Sequence, residues 1–65
     1  MNEAPGRYLK IRDVVEQTSL SRATIWRMIK RGEFPPSRKL SPQRVGWAER
    51  DIEAWKLRQD TGRHN

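Results

Sequence analysis

Apolar positions recur along this chain at helical spacing, pause at a proline-rich stretch, alternate briefly, and then return to helical spacing. Ile11, Val14, Val15 and Thr18 fall at i, i+3, i+4 and i+7, one face of a helix predicted over residues 11–17. Asp13 and Glu16 lie early in it, where acidic groups suit the positive N-terminal end. Thr18-Ser19-Leu20-Ser21 breaks the pattern. Ile25, Met28, Ile29 and Gly32 then repeat the spacing and predict a second helix from Arg22 to about Arg31. Ser21 is suited to cap its start, and Gly32 to end it, because glycine enters the left-handed conformation without a Cβ penalty. Two short amphipathic helices meeting at a tight turn, with Leu20 plugging the corner, form a helix-turn-helix pattern.

Phe34-Pro35-Pro36 stops any helix and sets an extended path, since each proline disfavours the α region for its predecessor. Leu40, Val45 and Trp47 flank Ser41-Pro42-Gln43, and proline suits position i+1 of a turn. A small hairpin follows over residues 37–47, with Gly46 weakening one strand. A third helix is predicted over residues 49–58, opened by Glu49 and Asp51 and closed by Lys56 and Arg58. Ala48, Ile52 and Trp55 share the face that packs back on the hairpin and first helix. The expected organisation is a flexible leader at 1–7, one domain at 8–58 and a polar tail at 59–65. The fold class is mainly α with a small β-hairpin.

Composition narrows the functions open to such a domain. With 65 residues the chain buries too little surface for a deep substrate cleft. It has no cysteine, so disulfides, Cys-based zinc sites and thiol nucleophiles are excluded, and His64 alone cannot assemble a metal site. No apolar run approaches the roughly 20 residues that span a bilayer. Met1 to Gly6 lacks the basic-then-apolar layout of a signal peptide. The expectation is a cytoplasmic protein with no membrane contact.

Charge adds more by position than by amount. The formal net charge is +6. Residues 1–21 and 45–65 each sum to zero. The excess lies in residues 22–44, where Arg22, Arg27, Lys30, Arg31, Arg38, Lys39 and Arg44 face only Glu33. Such concentration is the footprint of a polyanion-binding face. Charge alone also fits a solvated basic surface.

The second helix converts that footprint into a recognition surface. Ile25, Met28 and Ile29 mark its buried side; Ala23, Thr24, Arg27, Lys30 and Arg31 lie opposite. A B-DNA major groove admits one helix, and the residues facing it must supply donors to bases and phosphates. Arg27 is the strongest base-edge candidate, because its planar fork bonds the two acceptors of guanine or a phosphate. Arg22, at the helix start, is assigned to phosphate or the first base contacted. Ser21 and Thr24 offer hydroxyls to phosphate, with capping the main role of Ser21. Lys30 and Arg31 sit where phosphate contact is expected, and Ala23 permits close approach. Trp26, on the edge of the apolar stripe, fits packing against the hairpin and contact with the sugar-phosphate wall equally well. Arg38, Lys39 and Arg44 form a basic wing for phosphates or the adjacent minor groove, unless they are a solvated hairpin tip. Trp47 and Trp55 are assigned to the core.

The acidic groupings Asp13/Glu16 and Glu49/Asp51/Glu53 fall on helix starts or exposed faces, unsuited to general acid–base work. Phosphate loops, nucleophile–histidine pairs and metal-ligand spacings are absent. Neither catalysis nor a cofactor is expected.

Several segments together carry a family resemblance. They are Tyr8-Leu9-Lys10-Ile11-Arg12-Asp13-Val14, Ser19-Leu20-Ser21-Arg22-Ala23-Thr24-Ile25-Trp26-Arg27-Met28-Ile29, Gly32-Glu33-Phe34-Pro35-Pro36, Val45-Gly46-Trp47 and Ile52-Glu53-Ala54-Trp55. In this order they resemble the AlpA-type phage and prophage regulators, related to the excisionase and MerR-like winged helix-turn-helix group. The resemblance spans residues 8–57. It implies that Ser21-Arg22-x-Thr24 opens the recognition helix, that Phe34-Pro35 leads into the wing, and that Trp47 and Trp55 pack the wing on the last helix. Two departures stand out: Ser41-Pro42-Gln43 replaces a glycine-rich wing turn, and Trp26 stands where the family has tyrosine. The resemblance implies transcriptional regulation of a phage or mobile element, or excisionase activity that bends attachment-site DNA. The expected partners are double-stranded DNA, further copies of the chain bound cooperatively on it and, through the excisionase alternative, an integrase. A protein-interaction module with an acidic partner is a rival from another class. RNA binding is a weaker one, because stacking aromatics on a sheet are not evident.

Overall fold

The computed structural model of the protein describes residues 7–62. In chain order it has β1 (Tyr8–Leu9), α1 (Ile11–Thr18), α2 (Arg22–Lys30), β2 (Arg38–Ser41), β3 (Arg44–Ala48) and α3 (Glu49–Gly62). Three helices and a small antiparallel sheet make a winged helix-turn-helix fold, the expected class with one strand more than predicted.

Local chemistry sets each boundary. At the start of α1 the Asp13 carboxylate accepts from the Lys10 backbone N–H at 3.1 Å, satisfying a donor at the helix N-terminus. The helix ends at Ser19, whose φ of 64° is left-handed and whose N–H donates to the Val15 carbonyl at 2.8 Å. The Thr18 hydroxyl bridges this turn, donating to the Val14 carbonyl and accepting from the Leu20 N–H. Ser21 caps α2 as expected, its Oγ accepting from the Thr24 N–H at 3.1 Å. At the other end Glu33 N–H donates to the Met28 carbonyl (2.8 Å) and Gly32 N–H to the Ile29 carbonyl (3.0 Å). This is a Schellman closure with Gly32 at φ +74°, where a glycine is needed.

The sheet order is β1-β3-β2, all antiparallel. Tyr8 pairs with Ala48 and Leu9 with Trp47, so the segment just past the predicted leader is a strand. Leader residues 1–6 lie outside the described residues, as does tail segment 63–65. The predicted tail is otherwise corrected. Residues 59–62 continue α3, which ends at Gly62 instead of Arg58. Ala48, grouped with the third helix by its apolar face, closes β3.

Leu9, Val14, Ile25, Phe34, Trp47, Ile52 and Trp55 form one buried cluster, with Ile11, Val15, Leu20, Met28 and Ile29 packed around it. Every element contributes except β2, whose four residues are all exposed. The linker from α2 to β2 is held from both sides. Trp47 Nε1–H donates to the Pro35 carbonyl at 2.9 Å, and Trp55 Nε1–H to the Glu33 carbonyl at 3.1 Å. Phe34 lies edge-on to Trp55 with centroids 4.9 Å apart. Two indoles therefore anchor backbone as well as fill the core, and this fixes where the hairpin leaves the domain.

Candidate nucleic-acid interface

The cations of the basic segment all reach the surface: Arg22, Arg27, Lys30, Arg31, Arg38, Lys39 and Arg44 are exposed. They occupy two elements. Arg22, Arg27 and Lys30 lie on α2, Arg31 at its C-cap, and the remaining three on the hairpin.

On α2 the burial pattern follows the sequence periodicity. Ile25 is fully buried and Met28 and Ile29 partly so, which turns Ala23, Arg27 and Lys30 outward. Arg27 is held by its own helix: its Nη2–H donates to Thr24 Oγ1 at 3.3 Å, and Ser21 Oγ–H donates to the same hydroxyl at 2.9 Å. Ser21 and Thr24 thus position a guanidinium while capping the helix, and most of its five donors stay available. Arg31 lies 4.0 Å from Glu33, a marginal pair between two exposed side chains.

On the hairpin a two-residue Pro42-Gln43 turn joins the strands, with Pro42 first as predicted. The register pairs Arg38 with Gly46 and Lys39 with Val45, then shifts by a bulge at Leu40 so that Ser41 faces Arg44. Gly46, expected to weaken its strand, serves close packing instead. A Cβ there would sit 2.8 Å from Leu40 Cδ1 and 3.2 Å from the Leu9 carbonyl oxygen. Lys39 and Arg44 are exposed on the arm, whereas Arg38 Nη2 contacts Asp51 Oδ2 at 3.3 Å near the start of α3. That pair ties the hairpin to α3. It links residues 13 positions apart, on elements whose proximity no local spacing reveals.

Trp26 takes the packing role. Its ring lies 5.5 Å from that of Trp47 at 50°, so it packs on the hairpin, yet it remains 42% exposed. Val45 and Leu40 are also exposed. Among the described residues there is no buried polar or charged side chain and no group of three or more His, Asp or Glu able to hold a metal ion. No described helix is long and apolar enough to cross a membrane.

Residues 7–59 match the family described as the prophage CP4-57 regulatory protein AlpA. The chain belongs to the AlpA family. Among its relatives is an uncharacterized protein of Enterobacteria phage P4, ORF88, 37% identical over 57 residues. The match covers 88% of this chain and 65% of that protein, so the chain spans just under two thirds of this phage relative's length. The DNA-binding transcriptional activator AlpA of Escherichia coli strain K12 is 32% identical over 60 residues, covering 83% of this chain and 86% of that protein. The AlpA family is thus one of phage and prophage regulators, not an enzyme class.

Proposed function

We propose that this protein is a sequence-specific DNA-binding regulator of transcription in a phage or mobile genetic element. Helix α2 enters the major groove and the wing, residues 37–47, lies on the flanking backbone. The observation that carries this reading is the exposure of all seven cations of residues 22–44 on α2, its C-cap and the hairpin, beside a core that uses none of them. Arg27 reads a base edge, pre-positioned by Thr24 and Ser21, so little side-chain freedom is lost on binding. Arg22, Lys30 and Arg31 take phosphates around the helix, and Lys39 and Arg44 take them beside the wing. Arg38 joins them only by giving up Asp51. The protein acts in the cytoplasm, on the nucleoid, without enzymatic activity.

One such module reads few base pairs, so copies bind cooperatively to repeated or inverted sites. Selection from a random duplex pool tests the reading. An enriched motif, with Arg27→Ala losing preference at one position, is the expected result. Weak binding without a motif would leave the basic face as an anchor and shift specificity to a protein partner.

Excisionase action is the second reading, favoured by the wing tip. Leu40 and Val45 are 45% and 46% exposed on either side of the Pro42 turn. Apolar residues of this kind wedge into minor-groove steps and kink the duplex. Mobility that varies with site position in a circular-permutation gel shift would favour this reading, with an integrase as further partner. Uniform mobility with promoter output would favour regulation alone.

A further inference from the structure

The face proposed for DNA is basic, but it also carries two exposed apolar side chains that the cations do not explain. Trp26 is 42% exposed and Val45 46%. Single exposed apolar residues are ordinary; here their surroundings matter. Trp26 rests on Trp47 of β3, which places it on the flank of α2 that faces the wing. Val45 lies two residues from Trp47 and so shares its face of the strand, and Lys39, paired with Val45, shares it too. Arg22 and Lys30 stand one turn before and after Trp26, at i−4 and i+4 on the same flank. Cation, indole and cation therefore alternate over about 12 Å of helix.

The indole N–H supplies an independent observation. Trp47 and Trp55 each donate theirs to a linker carbonyl, whereas Trp26 Nε1–H has no acceptor among the described residues. An aromatic held in place by a neighbouring ring, with a free donor at its edge, is prepared for a surface that is apolar in part and anionic in part.

We infer that the junction between α2 and the wing seats the sugar-phosphate ridge of one DNA strand. Trp26 and Val45 pack on deoxyribose carbons, while Arg22 and Lys30 take the phosphates on either side. The inference rests on the DNA reading above and deepens it. A helix in one groove and a hairpin beside the next must straddle the ridge between the grooves. That ridge alternates phosphate with deoxyribose, as the helix flank alternates cation with indole. Trp26 Nε1–H donates to a phosphate oxygen. Because Trp47 already orients the ring, binding orders little that was free. The apolar part of this contact releases no counterions, so it adds affinity without adding to the salt dependence.

Acrylamide quenching of intrinsic fluorescence, on the full chain with and without the duplex recovered from the random pool, tests the seat. Trp47 and Trp55 are buried, so quenchable emission comes mainly from Trp26. Shielding of that emission on duplex addition is expected. Trp26→Ala should weaken binding about tenfold at an unchanged salt slope, through lost apolar burial. Trp26→Phe, which keeps a ring on Trp47, should recover part of that loss. Emission that stays equally quenchable on tightly bound duplex would overturn the inference and leave the DNA reading intact. So would wild-type affinity in Trp26→Ala. A loss accompanied by a shallower salt slope would also overturn it, because Trp26 would then serve only to hold the wing cations in place. Failure of the wild-type chain to bind any duplex would instead remove the DNA reading itself.

Discussion

Gly46, Trp47 and Ala48 at the base of the hairpin are buried, whereas Lys39–Ser41, Arg44 and Val45 beyond them are exposed throughout. The β3 side of the base carries no charge, pairs with β1 and holds the linker through an indole. The tip carries Lys39 and Arg44 and gives nothing to the core. Helix α2 divides in the same way across its width, with Ile25 buried on one side and Arg27 exposed on the other. The two regions share a backbone but divide the work. Stability resides in the base and the helix interior, and the tip and outer helix face keep their chemistry for a partner. Changes at the base should therefore alter folding, and changes at the tip should alter binding at constant stability.

The largest effect is expected from Trp47→Ala. It empties the site of a fully buried side chain and frees the Pro35 carbonyl. A loss of about 3–5 kcal/mol follows, enough to unfold most of a domain this small. A cooperative thermal melt close to that of the wild type would break the comparison.

Gly46→Ala should be next, at about 1–3 kcal/mol, since overpacking forces a shift. The Leu40 Cδ1 contact at 2.8 Å can swing away from an exposed side chain, but the Leu9 carbonyl at 3.2 Å belongs to the paired strand. Adding Leu40→Ala should therefore recover only part of the loss in urea titrations. Full recovery would place the strain in the side chain alone.

Ser21→Ala removes the cap of α2 and one support of Thr24. About 1 kcal/mol of stability should go, with a further fall in base discrimination as Arg27 loses order. Unchanged discrimination would separate the cap from the recognition residue.

Asp51→Asn should have the smallest effect on stability, below about 0.5 kcal/mol, because the pair with Arg38 is partly exposed. It should tighten duplex binding by releasing Arg38. Weaker binding would mean that Asp51 positions Arg38 for DNA instead of withholding it.

Much of this architecture is legible in the sequence wherever one element explains itself. Helical spacing finds α1 and α2 to within a residue at each end, and Ser21 and Gly32 act as their types dictate. The Pro42 turn also follows from its residues. A strand whose partner lies far along the chain is not legible. Tyr8–Leu9 is too short to show alternation, and it is a strand only because Ala48 and Trp47 lie beside it. The last turn of α3 is polar and presents no apolar mark. Gly46 looks like a weakness in its strand until Leu40 and the Leu9 carbonyl are placed against it. The same holds for the candidate interface. Its cations and Arg27 are visible from charge and periodicity, whereas the Arg38–Asp51 pair and the Trp26–Trp47 contact join distant segments.

Amide and side-chain chemical-shift mapping, with the wild-type chain titrated by its selected duplex, tests the division of labour most directly. The account predicts the largest changes at Arg22, Ala23, Trp26, Arg27 and Lys30, and on the hairpin at residues 38–45. Trp47, Ile52 and Trp55 should move little. Changes centred instead on α1 or the outer face of α3, with α2 and the hairpin tip undisturbed, would contradict it.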